Sequence, residues 1–97
     1  IMTKIKILAF YKFTQFDSLL ELQSSIVKFC EVNKILGSVL ISGEGLNGTV
    51  AGSEKNIDKI LSLFQKLPGC TDLDFKMSFA SEMPFLKLRI RLKKEIV

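Results

Sequence analysis

Histidine is absent from the 97-residue sequence. That absence excludes a Cys/His metal site and any Cys–His or Ser–His catalytic pair within this chain. Cysteine is scarce, with Cys30 inside an apolar helical pattern and Cys70 just after Pro68-Gly69. Both read as buried or incidental thiols, so neither a metal nor another cofactor is called for. Arginine is confined to Arg89 and Arg91. No apolar run approaches the roughly 18 to 20 residues of a membrane span, and the start lacks the layout of a signal peptide. The chain therefore reads as cytoplasmic, without a membrane partner.

What remains is the composition of an ordinary globular domain, 47% hydrophobic and 25% charged, with length for one core. Residues 1–97 are read as a single domain. Fourteen Lys+Arg against ten Asp+Glu give a formal charge of +4, which permits an anionic partner without requiring one. The sequence stops on the strand-like run Lys93-Lys94-Glu95-Ile96-Val97, which reads as a cut from a longer chain.

The organising stretch is Gly43-Glu44-Gly45-Leu46-Asn47-Gly48-Thr49. Its glycines call for tight bending, positive φ or close backbone approach, and Asn47-Gly48 is a hairpin signal. The stretch is expected to reverse a strand ending near Ser42 into a short one at Thr49-Val50-Ala51. Glu44 is open to two readings. It is a solvated loop charge or amide cap, or it faces a partner together with free backbone N–H groups.

Elsewhere the period of the apolar residues sets the elements. Ile5, Ile7, Ala9, Tyr11 and Phe13 alternate with Lys4, Lys6, Leu8, Phe10 and Lys12, the signature of a strand with one nearly all-apolar side. Asp17 or Ser18 caps a helix whose stripe is Leu19, Leu22, Ile26, Phe29 and Cys30, with Ser18 and Glu21 at capping-box spacing and Asn33 as the stop. A buried strand follows from Ile35 or Leu36 to Ser42. After the glycine stretch, Ser53 caps a second helix with Ile57, Ile60, Leu61 and Phe64 as its stripe, ended by Pro68-Gly69. Leu73, Phe75, Met77 and Phe79 mark a fourth strand. Leu86, Leu88, Ile90 and Leu92 mark a fifth, whose other side carries Lys87, Arg89, Arg91 and Lys93.

The order β-α-β-β-α-β plus one strand is the α+β, ferredoxin-like split β-α-β sandwich, with two helices on one face of an antiparallel sheet. The opposite face would then carry Lys87, Arg89, Arg91 and Lys93 from the last strand and Lys4, Lys6, Phe10 and Lys12 from the first. Cations with an interleaved aromatic suit single-stranded RNA, since the cations pair phosphates and an aromatic stacks a base. The same surface also reads as a solvated sheet face or as a seat for another domain.

The run Glu44-Gly45-Leu46-Asn47-Gly48-Thr49-Val50-Ala51-Gly52, with Lys76-Met77-Ser78, Pro84-Phe85 and Lys94-Glu95-Ile96-Val97, resembles a bacterial family. It is similar to the amino-terminal domain of the rhodanese-domain tRNA uridine hydroxylases, over nearly the whole chain. The resemblance implies an acylphosphatase-like fold. It also implies tRNA modification by a longer oxidoreductase, which hydroxylates the wobble uridine to 5-hydroxyuridine with molecular oxygen. The catalytic cysteine implied by that family lies in a following rhodanese domain, so no catalytic residue is carried over to this chain. The family-motif residues here are Glu44, Gly45, Asn47, Gly48 and Thr49.

Three functions follow for comparison. The first is an accessory domain giving tRNA contacts through Lys6, Phe10, Lys12, Lys87, Arg89, Arg91 and Lys93. A second is a structural domain that docks on the rhodanese domain of the same chain through Glu44, Asn47 and Thr49. A free-standing acylphosphatase is the third and weakest, because the loop Thr14-Gln15-Phe16-Asp17 has no arginine to hold a phosphate.

Overall fold

The alternation and helical stripes resolve into seven elements in a computed structural model, which describes residues 4–93. They are β1 (Ile5–Phe13), α1 (Leu19–Val32), β2 (Leu36–Ser42), β3 (Gly45–Ser53), α2 (Glu54–Gln65), β4 (Asp74–Ala80) and β5 (Leu88–Leu92). The sheet order is β4-β1-β3-β2-β5. Three pairings are antiparallel, and β5 joins β2 in parallel. The fold is α+β, ferredoxin-like. It departs from a wholly antiparallel sheet because residues 81–87 carry the chain from one sheet edge to the other, so that β5 runs beside β2 in the same direction. Residues 94–97 of the family motif lie outside the described residues.

Helix α2 packs over β1 and β3, and α1 over β2 and β5. Ile26 and Cys30 of α1 and Ile57, Ile60 and Phe64 of α2 meet Val39, Ile41, Leu46, Val50 and Ile90 of the sheet in one buried cluster. The second helix starts as its sequence says, with Ser53 Oγ accepting from the Asn56 amide at 3.3 Å. Asn33 closes α1, its Nδ2 donating to the Phe29 carbonyl at 2.9 Å. The capping box at Ser18 does not form. Ser18 sits at φ 50°, and its side chain makes no cap bond, because the left-handed backbone turns the hydroxyl away from the first helical amides.

Two further expectations are corrected. The reversal takes only Gly43 and Glu44, and β3 is nine residues long, so Asn47-Gly48 lies in mid-strand. Gly45 has φ 141°, and a Cβ there would overlap the Lys12 carbonyl oxygen. A Cβ at Gly48 would overlap the Ser38 carbonyl oxygen. These glycines serve close approach of neighbouring strands rather than the turn.

The second correction concerns which side of β1 is covered. Leu8 and Phe10 are buried beneath the helices, while Tyr11 and Phe13 are 51% and 62% exposed on the other side. The apolar count of the two sides misleads, because Leu8 and Phe10 put more apolar area at the strand centre than Ala9 does. The lysines sharing their side reach the rim of the helix layer. Lys6 Nζ lies 2.7 Å from Asp58 Oδ1 and 3.8 Å from Glu54 Oε2, and Lys12 Nζ lies 2.8 Å from Asp72 Oδ1. Their aliphatic stems cover the core edge while the ammonium groups find carboxylates.

Candidate nucleic-acid interface

The strand register fixes which residues share the helix-free face. One row across the sheet reads Lys76, Ala9, Thr49, Ser38 and Arg89. The next reads Asp74, Tyr11, Asn47, Leu40 and Arg91. Lys87 and Lys93 bracket β5, held by the Gly37 amide on the Lys87 carbonyl and by the Lys93 amide on the Ile41 carbonyl. Tyr11 and Phe13, two residues apart on β1, meet edge to face with centroids 6.2 Å apart.

The sequence-derived surface therefore divides. Lys87, Arg89, Arg91 and Lys93 are exposed at β5, with Arg89 and Arg91 on the open face. Lys6, Phe10 and Lys12 lie on the helix-bearing side, where the two lysines are paired with carboxylates and the Phe10 ring packs 4.6 Å from that of Phe64. Lys4 also lies by that side, its ammonium 5.6 Å from the Phe79 ring centroid. Tyr11, Phe13 and Lys76 take their place on the open face. The signal for them was the small Ala9 at the centre of their side, which makes that side the poorer core.

Charge separates the two groups as well. Asp72, hydrogen-bonded to Lys12, holds the Lys12 ammonium above its ordinary pKa, and Lys12 holds the Asp72 carboxyl below its own. Lys76, Lys87, Arg89, Arg91 and Lys93 make no ion pair among the described residues. Desolvation pushes the Cys30 thiol up to about 12, and burial raises Cys70 too. Both are free and buried, unsuited to nucleophilic work.

The motif residues also separate. Asn47 and Thr49 belong to the open face, whereas Glu44 sits at the hairpin tip. The Glu44 amide donates to Ser42 Oγ at 3.0 Å. Its carbonyl accepts from the Thr14 amide, and the Gly43 carbonyl accepts from that of Phe16. The turn backbone thus holds the chain's own β1–α1 connection, with Phe16 buried.

Two shallow depressions mark the open side. One, of about 450 Å³, lies around Ala9 and is bordered by Tyr11, Asn47, Thr49, Asp74 and Lys76. The other, of about 390 Å³, lies where Phe85, Lys87 and Arg89 meet Ser38. Among the described residues no cluster of metal-ligating side chains is present, and no helix is long and apolar enough to cross a membrane.

A conserved domain described as the UPF0176 acylphosphatase like domain matches residues 5–96. The chain belongs to that family. A protein of Gluconobacter oxydans named tRNA uridine(34) hydroxylase is 42% identical over 93 residues, which are 96% of this chain and 30% of that protein. The chain thus spans about 30% of the length of the curated relatives it matches. Among solved structures, an acylphosphatase from Coxiella burnetii superposes with TM-score 0.61 at 12% identity, covering 92% of this chain and 94% of that one. Klebsiella pneumoniae BlrP1 superposes with TM-score 0.72 at 15% identity, covering 94% of this chain and 24% of that one. At such identities the likeness is one of fold.

Proposed function

We propose that this chain is the accessory domain of a tRNA uridine hydroxylase and that its open sheet face contacts the tRNA. The relatives' name supplies the substrate class. The observation that carries the surface is the contrast between neutralised and unpaired cations. Lys6 and Lys12 are held by the protein's own carboxylates, whereas Lys76, Arg89 and Arg91 share the aromatic-bearing face with no such partner among the described residues. Such a face pairs phosphates and stacks bases. Catalysis belongs, on this reading, to a rhodanese domain elsewhere in the longer protein, in the cytoplasm.

The salt dependence of binding to an unmodified anticodon stem-loop tests this. Neutralising about four phosphates gives a log–log slope of roughly −3, at about −0.7 per contact on a single strand. A flat response removes the reading.

A second reading has its own observation. Among the described residues neither helix packs closely over β4, and its helix-side residues Phe75 and Phe79 remain 47% and 51% exposed. That apolar edge suits docking of the rhodanese domain, and on this second reading the contact is made at β4 rather than at Glu44, Asn47 and Thr49. Binding of a separately produced rhodanese domain, lost on Phe75→Ser with Phe79→Ser but kept on Arg89→Ala, supports it. Binding unchanged by the β4 pair would count against it.

A further inference from the structure

We infer that the depression around Ala9 receives one unpaired nucleobase. The inference rests on the RNA reading of the open face and deepens it by naming what this site takes. Ala9 forms a low floor between strands that carry larger side chains, and the space of about 450 Å³ suits a planar ring better than a lone ion. Asp74 and Lys76 both border it, so the rim has no net charge to draw phosphate inward, and the floor at Ala9 favours a base over its backbone. Tyr11 stands half-exposed at the wall as a stacking surface.

The remaining lining supplies polar complements to a base edge. Asn47 offers both a donor and acceptors, Thr49 a hydroxyl, and Asp74 acceptors only. Neither the Asn47 nor the Thr49 side chain has a hydrogen-bond partner among the described residues. Phosphate partners flank the site along one sheet row. Lys76 is one strand away from Ala9, and Arg89 is three strands away on the other side, roughly 14 Å at the usual strand spacing. A duplex keeps its base faces stacked inside, so only a splayed, single-stranded nucleotide fits this arrangement.

The test uses a property of the composition. Tyr11 is the single tyrosine and the chain has no tryptophan, so absorbance-corrected tyrosine emission reports this site alone. The probes are a single-stranded heptauridylate and a heptameric abasic ribose-phosphate of equal charge, each labelled for anisotropy at low salt. The expected result is quenching of Tyr11 by heptauridylate alone, with tighter binding of heptauridylate than of the abasic strand. The advantage expected from one stacked base is roughly 5- to 150-fold. Ala9→Leu, which fills the floor on a solvent-facing position, and Tyr11→Leu both remove that advantage while leaving abasic binding unchanged. Equal binding of the two strands with unchanged Tyr11 emission overturns the base site and leaves the charged surface standing. No binding of either strand overturns the RNA reading and this inference together.

Discussion

The Phe10 ring lies 4.6 Å from the ring of Phe64, beneath α2. Its neighbour Tyr11 leaves β1 on the opposite side and stands 51% exposed. This one relationship decides which face of the sheet is core and which is available. Because side chains alternate along a strand, it fixes the side of every residue from Ile5 to Phe13 and, through the register, of the whole sheet.

Stability should follow that division. Phe64→Ala is expected to cost about 3–5 kcal/mol, as large-to-small changes of buried aromatics do, and Phe10→Ala a similar amount. Tyr11→Ala should stay within about 1 kcal/mol, losing chiefly its contact with Phe13. Urea midpoints of the three variants measure this, and a Tyr11 cost equal to that of Phe10 would contradict the assigned faces.

The glycines of the motif should differ from one another. Gly45→Ala and Gly48→Ala each force a Cβ onto a neighbouring strand's carbonyl oxygen, and a loss of at least about 1–3 kcal/mol is expected. Gly43→Ala should be nearly neutral, since a Cβ there meets nothing closer than the Phe16 carbonyl oxygen at 3.9 Å. Thermal unfolding of the three variants separates the strand-packing role from a turn role, which would make Gly43 the most sensitive.

The Lys12–Asp72 pair should mark the pH profile. The Asp72 carboxyl is held below its ordinary value of 3.8, so its contribution is complete above that value and lost as pH falls through the depressed one. The Lys12 ammonium is held above its ordinary 10.5, so its contribution is complete below 10.5 and lost as pH rises through the raised value. Asp72→Asn should therefore shallow the acid-side loss of stability and remove the part of the alkaline loss due to Lys12. Urea midpoints from pH 2 to 11 test both limbs; since the pair lies at the surface, the changes should be small.

Both thiols should be silent in the folded state. With Cys30 pushed up to about 12 and Cys70 raised by burial, neither is expected to react promptly with a disulfide reagent at pH 8. Both should react after unfolding in guanidinium. Prompt reaction of Cys70 in the native protein would show that the α2–β4 connection opens readily.

Much of this architecture was legible because period and punctuation agree. The second helix carries a strong apolar stripe between Ser53 and Pro68-Gly69, and Leu88, Ile90 and Leu92 alternate cleanly with cations, so the side of β5 was unambiguous. In β1 both sides are rich in apolar residues, and counting them favoured the wrong one. What decided the matter was tertiary. A helix had to supply Phe64 over Phe10, and acidic residues far along the chain had to receive Lys6 and Lys12. Asn47-Gly48 misled for a related reason, since turn chemistry is also tolerated in mid-strand where another strand approaches closely. The make-up of the open face was accordingly half legible. Its β5 cations were placed by alternation, whereas Tyr11, Phe13 and Lys76 required the register.

The most direct test of the proposed RNA surface is an NMR titration of this chain with an unmodified anticodon stem-loop at two salt concentrations, following backbone amides. Salt-sensitive shifts are expected on Tyr11, Asn47, Thr49, Lys76, Arg89 and Arg91, with the amides of α1 and α2 unmoved. Shifts confined to the helices, or none at all on the folded protein, would contradict the assignment of the open sheet face to RNA.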